Sequence, residues 1–197
     1  MPNKNILLVG VGGQGTILVS KILSTGLLEA GYDVKMSEIH GMAQRGGSVS
    51  TQVRYGDKVY SPIIGIGDAD ILVSFETMET LRWLEFLKPS GVVVLNDFEI
   101  PSAPILSGKA DYPQGIIEII EQKADTKVIK AAEIAENLGN TKVMNVVLLG
   151  ALIKSMNLTD IDWEKVIKDL VKEKFVDLNI KALRAGMECV ACEEASI

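Results

Sequence analysis

Cysteine is almost missing from this chain, with two among 197 residues, Cys189 and Cys192, both near the C-terminus. A pair placed there cannot staple a core, so the sequence excludes a disulfide framework. Their single C-x-x-C supplies half of a zinc site at most, and it ends a helical pattern instead of opening one, so it reads as incidental. Runs of lysine and arginine are also missing, and the formal charge is -6. Binding to a nucleic-acid backbone rests on clustered cations, so nucleic acid is not an expected partner. No stretch approaches the roughly 18 uninterrupted apolar residues of a membrane span. The N-terminus enters a strand without the basic region and cleavage site of a leader. The expected location is cytoplasmic, with no membrane contact. Internal repeats and low-complexity segments are likewise missing.

What the sequence does hold is a 47% hydrophobic content, enough at this length for one α/β domain. Residues 1–197 are expected to form that single domain, with a helical part from about 131 to 197. Asn5 to Val9 is an apolar run of strand length. From Gln14 to Ala30, Ile17, Leu18, Ile22, Leu23, Leu27 and Leu28 recur at helical spacing before Gly31. Asp33 to Ile39 reads as a second strand, so the opening predicts a βαβ unit. Between Ser48 and Ser61, Val49, Thr51, Val53 and Tyr55 alternate with polar residues before Gly56-Asp57 and "KVYS", which predicts a hairpin. Ile71 to Phe75 and Val92 to Leu95 are buried-strand runs around a helix from Thr77 to Phe86, and Lys127 to Ile129 adds a strand. Asp68, Asp70, Asn96 and Asp97 flank strand ends, where either sites or turn chemistry belong. The proline- and glycine-bearing segment from Ile100 to Gly115 reads as a surface excursion. Helical segments follow at Ala131 to Leu138, Thr141 to Met156, Asp162 to Phe175 and Val176 to Glu193. The pattern predicts a three-layer, doubly wound, mainly parallel sheet of Rossmann-like type, with a β-hairpin excursion and C-terminal helices.

"GVGGQG" follows the first strand and opens the first helix. Gly10, Gly12 and Gly15 satisfy the dinucleotide fingerprint, and Glu38 is read as an acid after the second strand that could bind a ribose hydroxyl. Glycines permit a tight turn and close approach, and the amides of Gly13, Gln14 and Gly15 at a helix start favour an anion of any kind. Nicotinamide or flavin binding, another anion, and a plain turn without ligand all remain open at this point. A second stretch, "SEIHGMAQRGGSV", follows the second strand and is expected on the same side of the sheet. It carries the single histidine, His40, then Gly41, the flexible Met42, the amide of Gln44, the guanidinium of Arg45, the pair Gly46 and Gly47, and Ser48. Arginine's planar fork suits a phosphate or carboxylate. Taken one at a time, His40 and Arg45 also fit an ordinary connection with a surface arginine and a hydrogen-bonded histidine.

Together, "GVGGQG", "HGMAQRGGSV", "GDADILVSFE", "LKPSGVVVLND" and "NVVLLGAL" resemble, in order and at compatible spacing, the gamma subunits and domains of 2-oxoacid:ferredoxin oxidoreductases. Within them the resemblance is nearest to the small subunits of indolepyruvate-type enzymes. It implies a subunit of a complex that oxidatively decarboxylates a 2-oxoacid to its acyl-CoA, with the isolated chain inactive. Thiamine diphosphate, Mg and [4Fe–4S] clusters are implied on a large partner subunit, with electrons passing to ferredoxin and CoA held at the subunit interface. This chain lacks a G-D-G segment with a following Asn for a diphosphate-bound metal, and it lacks the four-cysteine run of a cluster. The implied role of the small subunit is to close the active site. Gly10, Gly12, Gly13, Gln14, Gly15, His40, Gly41, Met42, Gln44, Arg45, Gly46, Gly47 and Ser48 would face it, without a proton-transfer role. A surface meant for a partner also implies self-association of the isolated chain. Other readings are a gamma subunit of a pyruvate, branched-chain or 2-oxoglutarate enzyme, a stand-alone NAD- or FAD-binding oxidoreductase, and a noncatalytic anion-binding module.

Overall fold

The computed structural model describes residues 2–41 and 46–194, the last three of these by their backbone alone. Its sheet has six strands in the order β2-β3-β1-β4-β5-β6. These are β1 (Lys4–Val11), β2 (Asp33–His40), β3 (Ser48–Gly56), β4 (Ala69–Ser74), β5 (Leu87–Asn96) and β6 (Asp125–Ile129). The β1–β4, β4–β5 and β5–β6 ladders are parallel, whereas β3 runs antiparallel to both β1 and β2. The continuous apolar run of β1 places it in the interior of the sheet, where Ile6, Leu7, Leu8 and Val9 are fully buried.

The structure corrects two local expectations. β1 and β2 are not neighbours, because β3 lies between them. Ser48 to Ser61 is not itself a hairpin: Ser48–Gly56 is one strand, and its hairpin arm is β2, joined through residues 41–47. Ser50 and Gln52, the polar residues that alternate with Val49, Thr51 and Val53 in β3, are buried. Residues 57–68 cover that face. Arg54 Nη1 donates to the carbonyls of Ser61 (3.0 Å) and Ile63 (3.1 Å), and the Ile64 amide donates to Gln52 Oε1 (2.6 Å). Arg54 and Gln52 thus serve as hydrogen-bonded posts on the covered face, whereas the buried Ser50 hydroxyl has no partner among the described residues.

Among the described residues eight α-helices complete the fold: α1 (Thr16–Glu29), α2 (Thr77–Trp83), α3 (Ala103–Leu106), α4 (Ile116–Glu121), α5 (Ala131–Asn137), α6 (Met144–Ser155), α7 (Trp163–Leu170) and α8 (Val176–Glu194). One apolar cluster joins Ile6, Leu8, Val53, Ile71, Val73 and Val94 to residues of α1, α5, α6, α7 and α8. The other joins Leu7, Val9, Leu72, Val93 and Leu95 to α4, with Met78 and Leu81 of α2 packed against it. Alternate residues of each strand feed opposite clusters, which gives three layers.

Asn145 through Ile153 of α6 are all buried, as expected for a helix apolar on every side. Its contact with α8 is backbone on backbone. A Cβ on Gly150 would lie 2.0 Å from the Leu183 carbonyl oxygen, and one on Gly186 would lie 1.9 Å from that of Val147. In the same layer Trp163 of α7 lies over Gly26 of α1, where an added Cβ would meet the indole at 2.3 Å, and its Nε1 donates to the Leu158 carbonyl (2.8 Å). The C-terminal helices therefore build the same core as the strands.

Candidate functional site

β1 delivers the glycine loop to the carboxyl edge of the sheet, beside the end of β4. Gly10 is still within β1, and a Cβ there would lie 2.9 Å from Phe75 Cβ. Gly13 (φ 106°) and Gly15 (φ 81°) turn the chain through the left-handed region into α1. Gln14 locks the turn: its Oε1 accepts from the Val11 amide (2.8 Å) and its Nε2 donates to the Phe75 carbonyl (2.7 Å). The same carbonyl accepts from Asn96 Nδ2 (3.1 Å), and Asn96 Oδ1 accepts from the Ala131 amide (3.2 Å). One polar chain thus ties the tips of β1, β4 and β5 to the start of α5.

The crevice between β1 and β4 is the switch point of the sheet, because the chain leaves β1 toward β2 on one side and β4 toward β5 on the other. Ligands of open α/β sheets bind outside such a point. Here the Gln14 side chain closes it, and open space lies on both flanks of Gly12 and Gly13. One flank is a cavity of about 500 Å³ between Gly12, Gly13, Gly15, Thr16, Ile17, His40 and Val49.

The loop after β2 meets the glycine loop. The Gly12 amide donates to the Gly47 carbonyl (2.8 Å), and the Gly46 amide donates to that of Gly12 (3.3 Å). Gly41 closes the hairpin by donating to the Ser48 carbonyl (3.2 Å). Ser48 Oγ donates to Glu79 of α2, whose other carboxylate oxygen accepts from Arg82 Nε (3.1 Å). Met42, Gln44 and Arg45 lie outside the described residues. His40 ends β2 with a half-exposed side chain, Nε2 3.8 Å from Glu38 Oε2. Glu38 lies inside β2 and accepts from Ser20 Oγ of α1 (2.6 Å), so it is bound to the protein where the dinucleotide reading needs it turned to a ribose.

The amides of Gly13, Gly15, Thr16 and Ile17 donate to no acceptor among the described residues, while that of Gln14, grouped with them from sequence, returns to the Val11 carbonyl (3.2 Å). The first turn of α1 carries no acidic side chain. Open amides at the start of a 14-residue helix favour an anion.

Asp68 and Asp70, near the start of β4, stand at the opposite edge of the sheet, where Asp70 accepts from the Asn5 amide (2.8 Å) and pairs with Lys88 (2.8 Å). Sequence reasoning missed Glu76, which is fully buried. It caps α2 by accepting from the Glu79 amide (2.8 Å), and it also accepts from the Ile100 amide (3.2 Å) and the Tyr112 hydroxyl. Burial, and then the bond to Glu76, push the Tyr112 phenol well above its ordinary range. A capping signature led by serine or threonine would have exposed this site, but here glutamate holds the capping position.

Over residues 5–189 the chain matches the family described as pyruvate ferredoxin/flavodoxin oxidoreductase. It is 43% identical over 188 residues to the indolepyruvate oxidoreductase subunit IorB of Archaeoglobus fulgidus, with 92% of each chain covered. It is 39% identical over 194 residues to the protein of the same name from Pyrococcus horikoshii, covering 95% of this chain and 96% of that one. A solved keto/oxoacid ferredoxin oxidoreductase gamma subunit from Geobacter sulfurreducens has the same fold, with a TM-score of 0.75 at 23% identity and 98% of both chains covered. By this match across most of its length, the chain belongs to the pyruvate ferredoxin/flavodoxin oxidoreductase family.

Proposed function

We propose that this chain is the small subunit of an indolepyruvate, or more broadly arylpyruvate, ferredoxin oxidoreductase. Such a complex converts an aryl 2-oxoacid and CoA into aryl-acyl-CoA and carbon dioxide, passing two electrons singly to ferredoxin. The observation that carries the reading is the near full-length identity of about two residues in five to the Archaeoglobus and Pyrococcus subunits. Geometry supports it. The glycine loop and the β2–β3 loop are laced into one edge that presents open amides and a histidine.

Thiamine diphosphate with Mg supplies the carbanion chemistry in this reading, and [4Fe–4S] clusters supply electron transfer. The residues of this chain do not fit them. Two cysteines cannot furnish four thiolates, and among the described residues no three His, Cys, Asp or Glu side chains gather as a metal site. These groups are therefore assigned to a large partner subunit. The part left to this chain is to close that subunit's active site against water, to hold an anion of CoA or substrate on the glycine-loop amides and Arg45, and to orient a polar group with His40.

Relatives named as subunits of pyruvate synthase, ketoisovalerate oxidoreductase and 2-oxoglutarate synthase keep pyruvate, branched-chain 2-oxoacids and 2-oxoglutarate as alternative substrates. The stand-alone dinucleotide reading is disfavoured, since Gln14 fills the switch crevice and Glu38 is held by Ser20. The deciding experiment is reconstitution with the large subunit, following ferredoxin or dye reduction with indolepyruvate, phenylpyruvate and pyruvate, each with and without CoA. The expected result is CoA-dependent turnover of the aryl substrates that requires both chains. Turnover by the large subunit alone at the same rate would refute it.

A further inference from the structure

Two buried carboxylates stand at the start of α2, and of these Glu76 caps the helix. Glu79, 4% exposed, accepts from Arg82 Nε with one oxygen (3.1 Å) and from Ser48 Oγ with the other. Arg82 lies three residues along the same helix with its side chain more than half exposed, so that pair is local and modest. The bond to Ser48 reaches much further. It joins the first residue of β3 to the helix that follows β4, past the end of β1, which lies between those strands. A serine hydroxyl needs no charged acceptor, and burying a carboxylate costs free energy unless its oxygens are bonded. What a carboxylate adds is a charge-assisted bond, about twice as strong as a neutral one.

Ser48 is where the β2–β3 connection re-enters the sheet. Its carbonyl accepts from the Gly41 amide (3.2 Å), which closes the hairpin. The preceding Gly47 accepts from the Gly12 amide (2.8 Å), and Gly46 donates back to the Gly12 carbonyl (3.3 Å). An added Cβ at Gly46 would meet nothing within 4 Å, so packing does not hold the turn at that residue. Among the described residues, Glu79 supplies the one side-chain hydrogen bond that residues 46–48 receive. Ser50, the next residue of β3 on the same face, is buried too, yet its hydroxyl has no partner there.

We propose that Glu79 is a positioning residue for the reaction: it holds Ser48, and through Gly47 keeps the β2–β3 loop laced to the glycine loop. The proposal rests on the function given above. Glu79 acts through Ser48 and meets no substrate.

The test uses the full chain as wild type, Glu79→Ala, Ser48→Ala, the E79A/S48A double variant, Ser48→Thr and Ser50→Ala. In the free chain, NMR hydrogen exchange reads the amides of Gly12 and Gly41. E79A and S48A are each expected to speed their exchange by about ten-fold, the equivalent of one hydrogen bond to a charged group, and the double variant no further. S48T keeps the hydroxyl on a residue suited to a strand, so it should exchange close to wild type. S50A removes a hydroxyl without a partner and should change nothing. In the complex with the large subunit, E79A and S48A should each lower kcat/KM by about ten-fold through KM, and S48T should restore it. A merely structural role would lower the melting temperature and leave KM alone. Should E79A fail to fold, S48A against S48T carries the comparison. Unchanged exchange, additive effects in the double variant, or an unchanged KM beside faster exchange would each overturn the proposal while wild type stays active. Turnover by the large subunit without this chain would sink the oxidoreductase reading and the role in the reaction with it, and faster exchange in S48A would then assign Glu79 to the loop alone.

Discussion

Replacing Gly186 with alanine tests whether the backbone contact between α6 and α8 organises the domain. The new Cβ would sit 1.9 Å from the Val147 carbonyl oxygen, against ordinary contacts beginning near 3.4 Å, so the helices must part by about 1.5 Å. The obstacle is backbone within a buried helix, which has no flexible side-chain end to give way. Overpacking of this kind costs about 1–3 kcal/mol and more where the obstacle is rigid, so a loss of about 3 kcal/mol is expected. Gly150 makes the reciprocal approach to Leu183 and Met187. Once one alanine has opened the gap, the second finds it partly open. The G150A/G186A double variant should therefore lose clearly less than the sum of the singles, with a coupling of about 1 kcal/mol or more. Urea unfolding of the four proteins in the cycle measures this. A G186A loss below about 1 kcal/mol, or strict additivity, would refute the close contact as the cause.

Gln14→Ala removes the partner of the Val11 amide, while the Phe75 carbonyl keeps Asn96; orphaning that amide should cost about 1–3 kcal/mol in urea unfolding, and a loss below about 0.5 kcal/mol would show that the side chain does not lock the turn. Asp33 bonds to Lys35 and to the Val59 amide (2.9 Å), and these hold its carboxyl below the ordinary range, the Lys35 bond being the larger cause. A depressed folded pKa means that the unfolded state takes up the proton first, so the contribution is present above about pH 4 and fades as pH falls below it. Asp33→Asn should flatten the acid limb of thermal stability below about pH 4, and an unchanged limb would count against the pairing.

Much of the architecture was legible because periodicity reports burial. The full-length apolar run of β1 marked an interior strand, and the spacing from Ile17 to Leu28 marked α1. The position of β3 was not legible, since alternation reads the same whether a polar face meets water or a covering segment. Only Arg54 and Gln52 reaching residues 61–64 decide it, and those contacts are tertiary. In the site, the glycines were visible because positive φ restricts residue choice. Glu76 was not, because a glutamate at a helix start lacks the serine or threonine signature of a cap.

Gln14 explains why a complete dinucleotide fingerprint need not hold a dinucleotide. In the fingerprint the glycines exist so that a diphosphate can approach the helix start across the switch crevice. Here a side chain from the loop itself occupies the crevice and binds the tip of β4, which leaves the loop narrow and its two flanks open. One flank ends at His40 and the β2–β3 loop, the other at Lys142. An extended anionic ligand can lie on either side of Gly12–Gly13, and a partner subunit can close over both. The same glycines that permit nucleotide binding elsewhere thus divide this edge into two neighbouring cavities.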